Sequence, residues 1–144
     1  MDGIQGAVLN VKLAYLDEWN RQRRAIAGRY DAGLKEIDGL KIPRPAEYAG
    51  HVYHLYVIET VARDELVKSL KREGVDTAVQ YPHPIHLTEA YDFLGYKEGD
   101  LPVCEGASKR ILSLPLFPDM LDDQVDFVLI RFAHSMYRKQ QAII

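Results

Sequence analysis

The chain has 144 residues, of which 47% are hydrophobic and 27% charged, with a net charge of −3 and an isoelectric point near 5.9. This composition is typical of globular proteins, and the length indicates one domain over residues 1–144. It excludes a nucleic-acid-binding surface, which requires clustered basic residues. The most basic stretch, Arg21 to Arg24, shares a helical pattern with Asp17 and Glu18, as a solvated helix face does.

The chain contains one cysteine, Cys104, so it cannot form an intrachain disulfide. A run of about 18 apolar residues, which a membrane-spanning helix requires, does not occur. A charged-then-apolar signal segment is also lacking at the start. We therefore expect a soluble, cytoplasmic protein.

The N-terminal quarter of the chain is free of proline and carries apolar residues at helical spacing. The steps between them are threes and fours or their sums, which predicts one long helix over about residues 2–38, ended by Gly39. Such a helix would be roughly 50 Å long.

The first half of this helix carries a second apolar stripe, formed by Leu9, Leu13 and Leu16. A helix that is apolar on most sides is normally buried. The remainder of a small domain can cover one face, so we expect another domain or chain to cover the other. The alternative is a helix that crosses the middle of its own small core.

The rest of the chain alternates between helical and extended patterns. A block rich in aromatic and β-branched residues, 51–58, predicts a central strand, apolar on both faces. The other predicted elements are helices over 63–73, 88–94, 103–110 and 122–138, and strands over 75–81 and 111–114. The pattern predicts an α/β fold of the α+β sandwich-like kind, a small sheet covered by helices, with its body over about 51–138.

Four of the five histidines form two His-x-x-His pairs, His51 with His54 and His83 with His86. Zinc commonly binds histidine, but residues i and i+3 of a strand point to opposite faces. Ordinary polar or substrate-facing histidines are therefore the favoured interpretation, and we assign no metal site.

Other chemistry has weaker support. Cys104 lies near a predicted helix start, which favours a reactive thiolate, yet a lone buried cysteine is more often inert packing. The glycines follow neither of the common phosphate-binding patterns. Asp122 and Asp123 are typical of a helix start. The visible motifs do not assemble a self-sufficient active site.

Several blocks, taken in order, nevertheless resemble one family. They are Met1 to Ala7, Val11 to Leu13, Leu16 to Asn20, Arg24 to Ala27, His51 to Val57, Arg63 to Leu66, Leu70 to Val75, Tyr81 to Leu87 and Leu112 to Pro118. Their order and spacing resemble the C-terminal small domain of the DegT/DnrJ/EryC1/StrS family, pyridoxal-phosphate sugar aminotransferases of the aspartate-aminotransferase fold.

The resemblance implies a function. Full-length relatives transfer an amino group, usually from glutamate, to a keto group of a nucleotide-linked sugar, using a lysine that forms a Schiff base with pyridoxal phosphate. That lysine and its acidic partner lie in the family's large domain, and none of the eight lysines here resembles the lysine segment. The resemblance therefore implies that this chain alone binds no pyridoxal phosphate, has no catalytic residue and does not transaminate.

The resemblance also implies partners. It predicts a homodimer, or pairing with a large aminotransferase domain through the N-terminal helix. The alternative is a non-catalytic binding or assembly module that pairs with a separate large domain or a full-length relative.

Three residues are candidates for the substrate side of the site: His86 first, then Tyr81, then His54, which could equally be buried in the sheet. The sequence departs from the family pattern at three places. Gln80 stands where many members have histidine, Thr88-Glu89 replaces Gln-Pro, and Leu121 replaces a capping Ser or Thr, so that Asp122 is expected to cap the last helix.

Overall fold

A computed structural model describes the backbone of residues 2–141 and the side chains of residues 2–136. Within that part, three antiparallel strands form one sheet in the order β1-β2-β3, with helices packed on it. The strands are β1 Leu40–Lys41, β2 Tyr56–Thr60 and β3 Ile111–Leu114. The helices are α1 Gly3–Leu13, α2 Leu16–Leu34, α3 Arg63–Arg72, α4 Pro102–Ser108 and α5 Asp122–Gln141, with 3₁₀ turns over Ile85–Leu87 and Glu89–Leu94. The predicted fold class is confirmed.

The central strand is shorter than the sequence pattern indicates. β2 begins at Tyr56, and residues 51–55 are not part of the sheet. Tyr53 has a φ of 48°, and its amide donates to Nδ1 of His51 over 3.1 Å. A tyrosine with positive φ marks a turn and cannot continue a strand, so the predicted start at residue 51 is wrong.

The N-terminal helix is two helices. The amide of Tyr15 donates a hydrogen bond to the carbonyl of Lys12, which closes a tight turn after α1. Helix α2 then begins at Leu16 and ends at Leu34. The prediction of one helix over residues 2–38 is therefore wrong. The break contains no glycine or proline, and the three-and-four spacing continues across it, so the pattern could not reveal it.

The core lies between α2, α5, α3 and the sheet. Its fully or nearly fully buried side chains include Ile26, Ala27, Tyr30, Leu34, Tyr56, Ile58, Leu66, Leu70, Leu112, Val125, Val128 and Phe132. Burial of each large apolar side chain contributes about 1.5–3 kcal/mol. Gly33 allows α2 to approach α5 closely, because a Cβ there would lie 2.7 Å from Cδ2 of Leu129.

Two buried tyrosines keep their hydroxyl groups paired. Tyr30 donates to the carbonyl of Pro115 over 2.7 Å, and Tyr56 donates to Oδ1 of Asp31 over 2.6 Å. Burial raises the pKa of both tyrosines well above the usual range, so both hydroxyls stay protonated donors.

The remaining elements agree with the sequence-based predictions in part. β3 lies where it was predicted, whereas the predicted strand over 75–81 is reduced to a single bridge between Ala78 and Ser113. The helix predicted over 88–94 is a 3₁₀ turn. Asp122 does not cap α5, because it is the first helical residue and its carboxylate contacts Arg29 over 2.6 Å.

Helix α1 contributes no buried residue. Ile4, Leu9 and Leu13 are 76%, 53% and 65% exposed. An open groove of ≈570 Å³ runs along its C-terminal half into α2, lined by Gly6, Leu9, Asn10, Lys12, Leu13, Leu16 and Trp19. The alternative in which this segment crosses its own core is therefore wrong for α1. Among the described residues, none of the helices is both long and apolar enough to cross a membrane.

The exposed face of α1 should drive association of the isolated chain, because contiguous apolar surface is removed from water when two copies meet. We expect the double substitution Leu9→Glu and Leu13→Glu to weaken self-association at least about tenfold without lowering the free energy of unfolding, since neither side chain is in the core. Sedimentation velocity over a concentration series measures the first quantity, and urea denaturation the second.

The control is Val61→Glu, which introduces the same charge at an 86% exposed position outside α1. It should associate like the unmodified chain. Equal association of all three proteins would contradict this role of α1.

Candidate functional site

The loop over residues 80–87 is anchored at both ends. At one end, the hydroxyl of Ser113 on β3 donates to Oε1 of Gln80 over 2.8 Å. At the other, Nε2 of His86 lies 3.1 Å from Oε1 of Glu105 on α4. Between the anchors, Pro82 and Pro84 restrict the backbone further. The loop therefore presents its side chains from a constrained backbone.

The Glu105 carboxylate is the centre of the second anchor. Its oxygens accept from the amide of Gly99 over 3.0 and 2.9 Å, and Oε1 also accepts from the amide of Leu101 over 3.1 Å. The Gly99 hydrogen bond, with smaller contributions from Leu101 and His86, holds the pKa of Glu105 below its ordinary value against the opposing effect of burial. The carboxylate is ionised at neutral pH and can only accept, so His86 donates to it.

The middle of the loop is exposed. Tyr81 is 72% and Ile85 63% exposed, and the imidazole of His83 is also open to solvent. The following 3₁₀ turn adds Tyr91 and Phe93, the latter 80% exposed. A group of exposed aromatic and apolar side chains on an anchored backbone is typical of a contact surface for a ligand or another protein.

The structure places two of the three predicted site residues in this loop and the third elsewhere. Tyr81 is at the exposed part of the loop, whereas His86 is only 7% exposed and packs edge-on against the ring of Tyr96, at 5.9 Å between centroids. His54 is exposed in the turn before β2 and is not buried in the sheet.

Glu105 was missed by the sequence interpretation. It is 7% exposed and shares the inner face of α4 with the equally buried Ser108. Both are polar, so the hydrophobic spacing on which helix faces are recognised gives no signal for this one. A glutamate is also rarely buried unless paired, and its partner is 19 residues away in sequence.

The other residues considered for chemistry do not form part of this site. Cys104 is exposed, so the expectation that it packs in the interior is wrong. Within the described part of the chain, no three side chains of the types His, Cys, Asp and Glu come together as a metal site would require. Nδ1 of His51 instead accepts a hydrogen bond from the Tyr53 amide.

The lowered pKa of Glu105 predicts an acid-sensitive anchor. Because the carboxyl group in the folded chain titrates below its ordinary value of 4.5, ionised Glu105 stabilises the fold at higher pH, and that contribution is lost as the pH falls below 4.5. We expect the melting temperatures of the unmodified chain and Glu105→Gln to differ most above about pH 5 and to converge towards about pH 3.

The control is Glu98→Gln, in the turn that precedes α4, where the side chain is 76% exposed and contacts Lys109. It should follow the unmodified chain at every pH. A difference for Glu105→Gln that stays constant from neutral to acid pH would contradict the assignment.

Comparison with known proteins places these features in a family. The chain is 44% identical over 140 residues to the "Pleiotropic regulatory protein" of Geobacillus stearothermophilus, covering 96% of this chain and 37% of that protein. It is 41% identical over 120 residues to the dTDP-3-amino-3,4,6-trideoxy-alpha-D-glucose transaminase of Streptomyces venezuelae, covering 83% of this chain and 32% of that enzyme. The chain therefore spans about a third of the length of these relatives.

A solved structure agrees in fold. The crystal structure of S. venezuelae DesV in complex with a ketimine intermediate superimposes with a TM-score of 0.90 at 38% identity, over 94% of this chain and 37% of that one. A sequence model of one family matches residues 1–132, from α1 into α5. With its fold and its sequence both matched, the chain belongs to the DegT/DnrJ/EryC1/StrS aminotransferase family.

Proposed function

We propose that residues 1–144 form the C-terminal domain of a cytoplasmic, pyridoxal-phosphate-dependent nucleotide-sugar aminotransferase. The reaction is transfer of an amino group from glutamate to a keto sugar. Membership of the family supports this proposal, as does a 41% identical relative named as a transaminase of a dTDP-linked sugar. The chain corresponds to about a third of that enzyme, which fits a contribution of one part of a site.

The observation that carries the proposal is the uncovered apolar face of α1. A helix with no buried residue and an open apolar groove beside it gains stability only when another surface covers it. In our proposal that surface is the large domain of the aminotransferase, and the complete enzyme is a homodimer.

The side chains that the structure describes, residues 2–136, do not fit a pyridoxal phosphate site. A Schiff-base lysine needs an environment that activates its amine, usually a desolvated one. The seven lysines whose side chains are described are all exposed to solvent. We therefore assign the cofactor and its chemistry to the large domain, and this chain alone is inactive.

The contribution of this chain lies on the substrate side, in the anchored loop. The Tyr81 hydroxyl is exposed and can donate to or accept from a sugar or phosphate oxygen. His86, which is 7% exposed at the anchored end of the same loop, is a further candidate, and His54, exposed in the turn before β2, is another. The anchors at Gln80 and His86 lower the entropy lost when a ligand binds, since the backbone is already constrained.

A second candidate is a non-catalytic module that pairs with a separate large domain or a full-length relative. The 44% identical relative named as a pleiotropic regulatory protein favours it. The two candidates share the docking role of α1 and differ in whether the loop binds a nucleotide sugar.

Nucleotide-sugar binding tests the first candidate directly. Titration of the ¹⁵N-labelled chain with dTDP-glucose should shift the amide signals of residues 80–87. Tyr81→Phe should weaken the binding about tenfold, because it removes one hydrogen bond to the ligand. Tyr48→Phe is the control, since Tyr48 is 95% exposed in a different loop. An absence of shifts at millimolar ligand would count against a substrate-binding loop and favour the second candidate.

The cofactor assignment is tested by adduct formation. The chain is incubated with pyridoxal phosphate, reduced with borohydride and analysed by intact-mass and peptide mass spectrometry. Exposed lysines should give only substoichiometric adducts spread over several positions. A single lysine modified to one equivalent, with an absorbance band of an internal Schiff base before reduction, would show that this chain builds its own cofactor site.

A further inference from the structure

The His86–Glu105 pair does more than tie the loop to α4. Three hydrogen-bond donors converge on Oε1 of Glu105: Nε2 of His86 and the amides of Gly99 and Leu101, at 3.0 to 3.1 Å. The two amides have no alternative to donating. They hold the carboxylate in place and keep it ionised, so the ring nitrogen facing it must carry a hydrogen.

The surroundings of the His86 ring hold it in the orientation that directs Nε2 at the carboxylate. The side chains of His86 and Glu105 are 6% and 9% exposed, so water cannot replace a lost hydrogen bond at low cost. Rotation of the ring by half a turn would place a carbon against the carboxylate and leave the charge unpaired on that side. The Tyr96 ring packs against the imidazole at an interplanar angle of 82°, which further restricts the ring plane.

We propose that Glu105 is a positioning residue that keeps the proton of His86 on Nε2, leaving Nδ1 as the hydrogen-bond acceptor of the neutral ring. This proposal rests on the proposed function and deepens it. A ring nitrogen with a free lone pair accepts from a hydroxyl or amino group of a sugar, and it disfavours a phosphate oxygen, which is itself an acceptor. Glu105 thereby fixes which kind of group the Nδ1 edge of the His86 ring can pair with.

The test determines by NMR which nitrogen of the His86 ring carries the proton in the 144-residue chain. Long-range ¹H–¹⁵N spectra distinguish a protonated from an unprotonated ring nitrogen, and His86→Gln identifies which signals belong to His86 among the five histidines. At a slightly alkaline pH we expect a single tautomer, with Nε2 protonated and Nδ1 unprotonated, and an Nε2–H that exchanges slowly with water.

Two variants separate positioning from packing. Glu105→Gln keeps an oxygen acceptor and should retain the Nε2–H tautomer. Glu105→Met keeps the volume but removes the acceptor, and should speed exchange of the Nε2–H about tenfold or more and mix the two tautomers. Glu98→Gln, at an exposed position in the turn that precedes α4, should leave the ring signals unchanged.

The spectrum of the unmodified chain is decisive even if a variant fails to fold. A proton on Nδ1, or a mixture of tautomers like that of free histidine, would overturn the proposal. Because the measurement uses no ligand, failure of the chain to bind dTDP-glucose would count against the proposed function and leave the assignment of Glu105 standing.

Discussion

The fold depends on the contact between two buried tyrosine rings. Tyr30 of α2 and Tyr56 of β2 meet nearly edge to face, with ring centroids 5.1 Å apart, and both are fully buried. Each hydroxyl is then tied to a second element, Tyr30 to the segment after β3 and Tyr56 back to Asp31 of α2. Such rings supply large buried area, and their hydroxyl bonds fix how the helix lies on the sheet.

The candidate site is built outward from that contact. β2 pairs with β3, and Ser113 of β3 fastens Gln80 and also bridges to Ala78. The 80–87 loop therefore starts beside the outer strand β3. Its far end is fastened by Glu105 on α4, which immediately precedes β3. The sheet at one end and α4 at the other thus position an otherwise irregular segment, and functional loops are commonly supported by such regular elements.

The sequence predicted the elements with strong periodicity, but it did not reveal local turns that leave the periodicity intact or contacts between residues distant in sequence. α3, α5 and β3 follow directly from the spacing of apolar residues. The break at Tyr15 and the late start of β2 do not, because a tight turn and one positive φ leave the apolar spacing intact. Within the candidate site, Tyr81 and His86 were predicted through a family resemblance. Glu105 was not, since its importance arises from a partner 19 residues away and from backbone amides whose positions only the fold determines.

The division between α1 and α2 separates two kinds of constraint on the sequence. The core residues all lie in α2 or after it, so their variation is limited by packing within the chain. The residues of α1 bury nothing here, and their variation is limited only by the surface that covers them. Across a set of homologues, α1 should therefore change together with the part of the protein that it contacts and independently of the core. Its pattern of substitution would then record the shape of the partner surface.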